Sequence, residues 1–245
     1  MRIDVVTIFP QMFAAVRECG MTRIAIEQDA LVLQMWDPRS YSTDTYRRVD
    51  DRPYGGGPGM VMQAPQMVAA IRAARDASRG RVVCLSPQGS VLDHEKVRAL
   101  SQEAALVLVA GRYEGIDQRV LDSEVDEEIS IGDYVVAGGE LPAMVLIEAL
   151  VRQLPGVLGN ETSADLDSFS DGLLDWPHFT RPEEFEGVRV PEVLLSGNHD
   201  EIRRWRLKQA LGQTWLRRPD LLEIKSLSDE ESTLLSAFQS EYLKK

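Results

Sequence analysis

Short apolar runs alternate along the first 150 residues with stretches in which apolar side chains recur every three or four positions. MRIDVVTIF at residues 1–9 and LVLQMWDPR from Leu31 read as strands, with helical spacing from Gln11 to about Gln28 between them. A Gly-rich loop follows. Pro65 then opens a helix toward Ser78, because its fixed φ suits the first helical turn. RVVCLSP from Arg81 is an apolar strand, and Asp93 is placed to cap a helix across Val97 and Leu100. ALVLVAG from Ala105 reads as a buried strand, Ile116–Leu121 as a short helix, EEISIGD from Glu127 as a strand, and Leu141–Leu154 as a long apolar helix. Strands alternating with helices predict an α/β fold with a parallel sheet covered on both faces.

From Pro155 to about Ser196 the pattern changes: Pro, Gly, Ser and Asp mix with single aromatics and no period is sustained. A stretch of that length without periodicity is functional or a linker. Beyond it, Asn198 or Asp200 can cap a helix through Ala210, and Ser228 starts another that runs to the C-terminus. The chain thus divides into an α/β domain over residues 1–160, a linker over 161–196 and a small helical domain over 197–245.

Composition adds exclusions. The 245 residues are 44% hydrophobic and 27% charged, which argues against disorder. No stretch reaches the roughly 20 apolar residues of a membrane span. Asp4 interrupts the first apolar run and no small-residue cleavage site follows, so the N-terminus reads as a strand and not as a secretory signal. Cys19 and Cys84 show no paired spacing, which fits a reducing, cytoplasmic setting without a metal framework. The net charge of −12 speaks against nucleic acid. Its distribution is uneven: between Asn198 and Lys225, Arg203, Arg204, Arg206, Arg217, Arg218, Lys208 and Lys225 outnumber Asp200, Glu201, Asp220 and Glu223, a local excess of +3. On charge alone a solvated helix face is the favoured account.

Three strand ends carry unusual turns: LSPQG at Leu85–Gly89, AGRYEG at Ala110–Gly115 and IGDYVVAGGE at Ile131–Glu140. Ligands of open α/β sheets bind outside the carboxyl ends of strands, and glycines there let the backbone approach a ligand closely. Any one turn alone reads as an ordinary tight turn; three in succession point to a nucleotide-like ligand. PYGGGPGM at Pro53–Met60 lacks the Gly-Lys-Ser/Thr of a phosphate loop, and no strand-to-helix turn has the Gly-x-Gly-x-x-Gly spacing of dinucleotide folds. His94, His178 and His199 are isolated, so no metal site is indicated.

LSPQG, GRYEGID, IGDYVVAGGELPAM, DSF, DGLLDWPHFTRP, VLLSGNH and IRRWRLKQALGQTWLRRPDLL together resemble the signature blocks of the bacterial tRNA (guanine-N1)-methyltransferases, the TrmD family of the SPOUT class. The likeness runs from MRIDVVTIFP to about Leu222, with departures at Cys84, Gln118, Val136, Ala137, Trp176 and Phe179, and the tail beyond Leu222 matches no block. It implies a deep trefoil knot whose three loops clasp S-adenosylmethionine, and an obligate homodimer with each active site between subunits. Leu85, Ser86, Pro87, Gly89, Gly111, Tyr113, Glu114, Gly115, Ile131, Gly132, Asp133, Tyr134, Val135, Val136, Gly138, Gly139 and Pro142 would then line the cofactor pocket. The implied reaction methylates N1 of the guanine 3′ to the tRNA anticodon, with Asp167 as general base and Arg152 stabilising charge at O6. Read without the resemblance, Asp167 is a turn or cap residue, Arg152 a cation at a helix C-terminus and Asp117 a cap. The family's activity is described as magnesium-assisted, yet no carboxylate spacing marks a magnesium site. Arg203, Arg204, Arg217 and Arg218 would hold tRNA phosphates, while Trp205 and Trp215 read as core of the small domain rather than as stacking platforms.

Overall fold

The expected alternation is present in the first of two units into which the chain divides, Met1–Glu161 and Thr162–Lys245. A computed structural model describes residues 1–159 and 166–244. In the first unit run β1 (Arg2–Val6), α1 (Ala14–Arg17), α2 (Gly20–Glu27), β2 (Val32–Trp36), β3 (Asp50–Asp51), β4 (Val61–Met62), α3 (Ala64–Ser78) and β5 (Arg81–Val91). They are followed by α4 (His94–Ser101), β6 (Ala105–Ala110), α5 (Gln118–Glu124), β7 (Glu127–Ser130) and α6 (Glu140–Val151). Five strands pair in parallel in the order β2-β1-β6-β5-β7, and β3 and β4 form a separate antiparallel ribbon.

The central strand β6 is buried along its whole length, as an apolar run covered on both faces must be. Its alternate residues feed two cores. Leu106 and Leu108 join Ile3, Val5 and Val83 beneath Leu146, Ile147 and Leu150 of α6. Val107 and Val109 join Val82 and Cys84 against Met67, Ala70 and Ile71 of α3. Asp93 caps α4 as its sequence position suggested, accepting the Lys96 N–H at 2.8 Å. The helical pattern from Gln11 to Gln28 does not yield one helix: Cys19 is extended (φ −131°, ψ 160°) and Gly20 takes φ +64°, so the chain breaks between α1 and α2. α6 buries most of its length but leaves Leu141 and Val145 about half exposed, at 51% and 50%.

In the second unit the hairpin β8 (Glu184–Phe185) and β9 (Val188–Arg189) leads to α7 (Glu192–Leu195), α8 (His199–Arg217), α9 (Pro219–Ile224) and α10 (Asp229–Tyr242). Asn198 caps α8, and Ser228 with Glu231 forms a reciprocal capping box on α10. α8 runs well beyond Ala210 because Ala210, Leu211 and Thr214 continue its buried face. Gly212 permits the close approach of α10, since a Cβ there would lie 2.3 Å from the Phe238 ring. Leu173, from the irregular stretch, packs with Ala210, Leu211 and Leu234, and the Leu174 N–H donates to the Thr214 hydroxyl at 2.8 Å. Leu173 thus ties that stretch to the core of the second unit.

Candidate active site

At the carboxyl ends of β5, β6 and β7, the three expected loops surround one cavity of about 350 Å³ in the first unit. Of the residues assigned to a cofactor pocket, all but Gly89 and Asp133 line it. The first loop is a bulge inside β5: Leu85 and Ser90 both register with Ile129, so residues 86–89 are thrown out of the ladder. Gly89 permits the return, because a Cβ there would sit 2.3 Å from the Glu128 carbonyl carbon. Asp133 is exposed.

The second and third loops are locked together. The Gly139 N–H donates to the Gly111 carbonyl at 2.8 Å, and a Cβ on Gly139 would lie 2.7 Å from Ala110 Cα. Beside this contact Arg112, another cavity residue, donates from Nε to Glu140 Oε2 at 2.7 Å and from Nη1 to the Ala137 carbonyl at 3.2 Å. Its guanidinium lies 4.6 Å from the centroid of the Phe9 ring. Glu140 is fully buried at the start of α6, and its other oxygen accepts from the Thr7 hydroxyl at 2.9 Å. A buried carboxylate needs such compensation. Sequence reasoning passed over this pair, although a Glu opening a mostly apolar helix was a signal that a compensating group had to be near.

The ribbon β3–β4 braces the second loop from outside. The Glu114 N–H donates to Met60 O, the Met62 N–H to Gly115 O and the Asp117 N–H to Met62 O, at 2.9, 2.9 and 3.1 Å. Gly59 leaves room for Glu114, whose Oε1 would lie 2.3 Å from a Cβ there. Burial, and then the neighbouring Asp50 carboxylate, push the Tyr113 hydroxyl above its ordinary pKa. Asp117 is a cap: its carboxylate accepts the Arg119 N–H at 3.0 Å and pairs with the Arg119 guanidinium, whose hydrogen bond lowers the Asp117 pKa. Burial pushes the Cys84 thiol up to about 12, which leaves it inert as a nucleophile. Glu128 also lines the cavity, and its buried Oε2 has no hydrogen-bond partner among the described residues.

Arg152 is the exposed C-cap residue of α6 in the first unit. Asp167, in the second, is partly buried and opens a tight turn. Its carbonyl accepts the Ser170 N–H at 3.2 Å, Phe169 takes φ +76°, and the Ser168 hydroxyl accepts the Asp175 N–H at 2.9 Å. The arginines of the second unit are largely paired on its surface. Arg203 bonds Glu230 at 2.8 Å, Arg204 lies 3.7 Å from the same carboxylate, and Arg218 bonds Asp220 at 2.7 Å. Arg217 is exposed and forms no ion pair among the described residues. Arg206 lies over the Trp176 ring at 5.0 Å, Trp215 meets Tyr242 edge-on at 5.9 Å, and Trp205 contacts Phe179 at 6.3 Å. Among the described residues, no group of three or more His, Cys, Asp or Glu side chains is placed to hold a metal ion. No helix among them is long and apolar enough to cross a membrane.

Comparison with known proteins places this architecture. The family described as tRNA (Guanine-1)-methyltransferase TrmD matches residues 1–224. A tRNA (guanine-N(1)-)-methyltransferase of Pectobacterium carotovorum subsp. carotovorum (strain PC1) is 57% identical over 244 residues, covering 99% of this chain and 97% of that protein. The similarly named protein of Stutzerimonas stutzeri (strain A1501) is 58% identical over 240 residues, 97% of this chain and 96% of that protein. That of Pseudomonas aeruginosa (strain LESB58) is 58% identical over 239 residues, 96% of this chain and 95% of its own length.

Proposed function

The chain belongs to the tRNA (guanine-1)-methyltransferase family, and we propose that it transfers a methyl group from S-adenosylmethionine to N1 of the guanine 3′ to the anticodon, position 37. The observation that carries the reading is the cavity at the ends of β5, β6 and β7, bounded by backbone where glycines keep it open. A cradle of exposed peptide groups suits an adenosine edge, and the unpartnered Glu128 Oε2 offers an acceptor for an amino group. When bound, S-adenosylmethionine supplies an electrophilic methyl on a sulfonium.

The remaining steps fall to the chain's own residues. Asp167 accepts the N1 proton of guanine, so that the N1 electron pair can form the new bond to carbon as the carbon–sulfur bond breaks. Arg152 stabilises the negative charge that spreads to O6. Both roles rest on the family resemblance of the DSF block and of the end of α6. The same resemblance supports a trefoil knot formed by the three loops and a homodimer. The half-exposed Leu141 and Val145 of α6 favour a partner surface. Arg203, Arg204 and Arg218 contact tRNA phosphates by exchanging their exposed carboxylate partners, which hold them only weakly, and the exposed Arg217 adds a fourth contact. The enzyme works in the cytoplasm, where tRNA is found.

Incubating the purified protein with labelled S-adenosylmethionine and unmodified tRNA, followed by nucleoside analysis, tests the reading. Label in N1-methylguanosine is the expected result. Label in no nucleoside, or in a different one, rejects it.

A further inference from the structure

The segment from Asp44 to Met60 has so far served only to brace the cavity wall. Its inner side is fixed. Val49 is 3% exposed within the α3-side core, its carbonyl accepts the Gln63 N–H at 2.7 Å, and β3 pairs with β4. Its outer side is unlike the rest of the first unit. Tyr46 is 83% exposed and Tyr54 101%, and Arg47, Arg48 and Arg52 are exposed between and beside them. Tyr54 stands in a turn closed by the Gly56 N–H on the Pro53 carbonyl at 3.2 Å. Gly55, Gly56 and Gly57 follow at φ +84°, +77° and +119°, conformations that other residues adopt only at a cost. Arg47 itself sits at φ +52°. Arg48 is tied to Asp44, but among the described residues neither Arg47 nor Arg52 forms an ion pair.

Single exposed aromatics are ordinary. Two of them interleaved with guanidinium groups on a preformed loop are not, and this loop is hydrogen-bonded to the wall of the proposed methyl-donor cavity through Met60 and Glu114. We propose that the Tyr46–Tyr54 loop is a stacking platform for single-stranded nucleotides of the substrate RNA beside the target guanine. The rings of Tyr46 and Tyr54 take base faces, and Arg47 and Arg52 take phosphates. Stacking of this kind tolerates any base, because every base has a π face, and planar guanidinium groups match phosphate oxygens. A protein partner fits less well, since its anchors seat in packed, desolvated pockets, whereas these rings stand among exposed arginines. The proposal rests on the tRNA methyltransferase reading and places a second RNA contact in the first unit, apart from the arginines of α8.

The test uses the full-length protein, an unmodified tRNA transcript and an anticodon stem–loop RNA, with Tyr54→Ala, Tyr54→Phe and the double variant Arg47→Ala/Arg52→Ala. Steady-state kinetics give KM and kcat for each RNA, and calorimetry gives S-adenosylmethionine affinity. Tyr54→Ala should raise KM for both RNAs about tenfold, on the scale of one lost stacked base, while Tyr54→Phe stays near wild type. The double arginine variant should flatten the salt dependence of RNA binding by up to about 0.7 per lost single-strand contact. Methyl-donor affinity should stay within about twofold, because no cavity-lining residue changes. Unchanged KM and salt slope in folded variants, with wild type active, overturn the platform. So does a loss confined to methyl-donor affinity, which would make the loop a brace alone. If wild type transfers no methyl to tRNA at all, the parent reading fails and takes the platform with it.

Discussion

The two units present their proposed binding surfaces in opposite ways. In the first, main-chain features shape the cavity: a bulge in β5 and a loop pinned by Gly139 to Gly111, with the Arg112–Glu140 salt bridge behind them. In the second, the polar surface is made of long side chains in exposed pairs, such as Arg203–Glu230 and Arg218–Asp220. Backbone sites tolerate little change in shape but do not depend on salt. Exposed guanidinium groups tolerate movement and are sensitive to salt. A small donor needs the first kind of site, and a large polyanion can use the second.

The largest break in that contrast is expected at Asp167, one side chain of the second unit to which the proposed mechanism gives the role of base. Asp167→Asn should lower single-turnover methyl transfer by on the order of 10²- to 10⁴-fold, with methyl-donor affinity by calorimetry unchanged. A mutant that turns over near the wild-type rate would remove Asp167 as the base. Next comes Gly139→Val, which forces a branched side chain against the Ala110 and Gly111 backbone. It should lower methyl-donor affinity by on the order of 10²-fold, the scale of a misplaced site, and lower the melting temperature as overpacking does. Gly111→Ala should do less, because its Cβ would meet only the Ile116 side chain, at 3.2 Å. Equal effects of the two substitutions would show that the two loops are not locked in the way Gly139 suggests.

A smaller effect is expected on the charged side of the contrast. Replacing Arg203, Arg204, Arg217 and Arg218 with Ala should weaken tRNA binding and lower its salt slope by up to about 0.9 per lost contact in B-DNA terms, somewhat less for folded tRNA. Donor affinity should hold. Parallel slopes in a filter-binding series, with circular dichroism showing an intact fold, would make these arginines a solvated face. The smallest effect concerns pH. The hydrogen bond from Arg203 holds the Glu230 carboxyl below its ordinary pKa, and that from Arg218 does the same for Asp220. A carboxyl depressed on folding adds stability above its unfolded pKa and loses it as pH falls through the folded value. Melting curves of wild type and Glu230→Gln should therefore differ slightly at neutral pH and converge in acid. A gap that widens in acid would contradict the pairing.

Strands were readable because β6 and its neighbours are apolar on both faces, and α4, α8 and α10 because Asp93, Asn198 and Ser228 announce their starts. The three cavity loops were readable from glycines at strand ends. The break at Gly20 was not, because a helix interrupted by a left-handed glycine keeps nearly the same apolar spacing on either side. The five-residue register jump between Leu85 and Ser90 was hidden for a related reason: the partner residue Ile129 lies on another strand, and local sequence carries no mark of it. Arg112 and Glu140 were invisible as a pair because they lie 28 residues apart and meet only when two loops converge.

The bond from the Thr7 hydroxyl to Glu140 spans 133 residues and ties one of the first strands made to one of the last parts of the sheet unit. During synthesis β1 can pair early with β2, but its other edge waits for β6, roughly seventy residues later. At about 5–20 residues per second that edge stays open for several seconds, with Ile3 and Val5 still lacking the helix that will cover them. A nascent chain stalled before Ala105 would thus display an apolar strand with one open edge, the kind of surface on which chaperones act and from which aggregates grow.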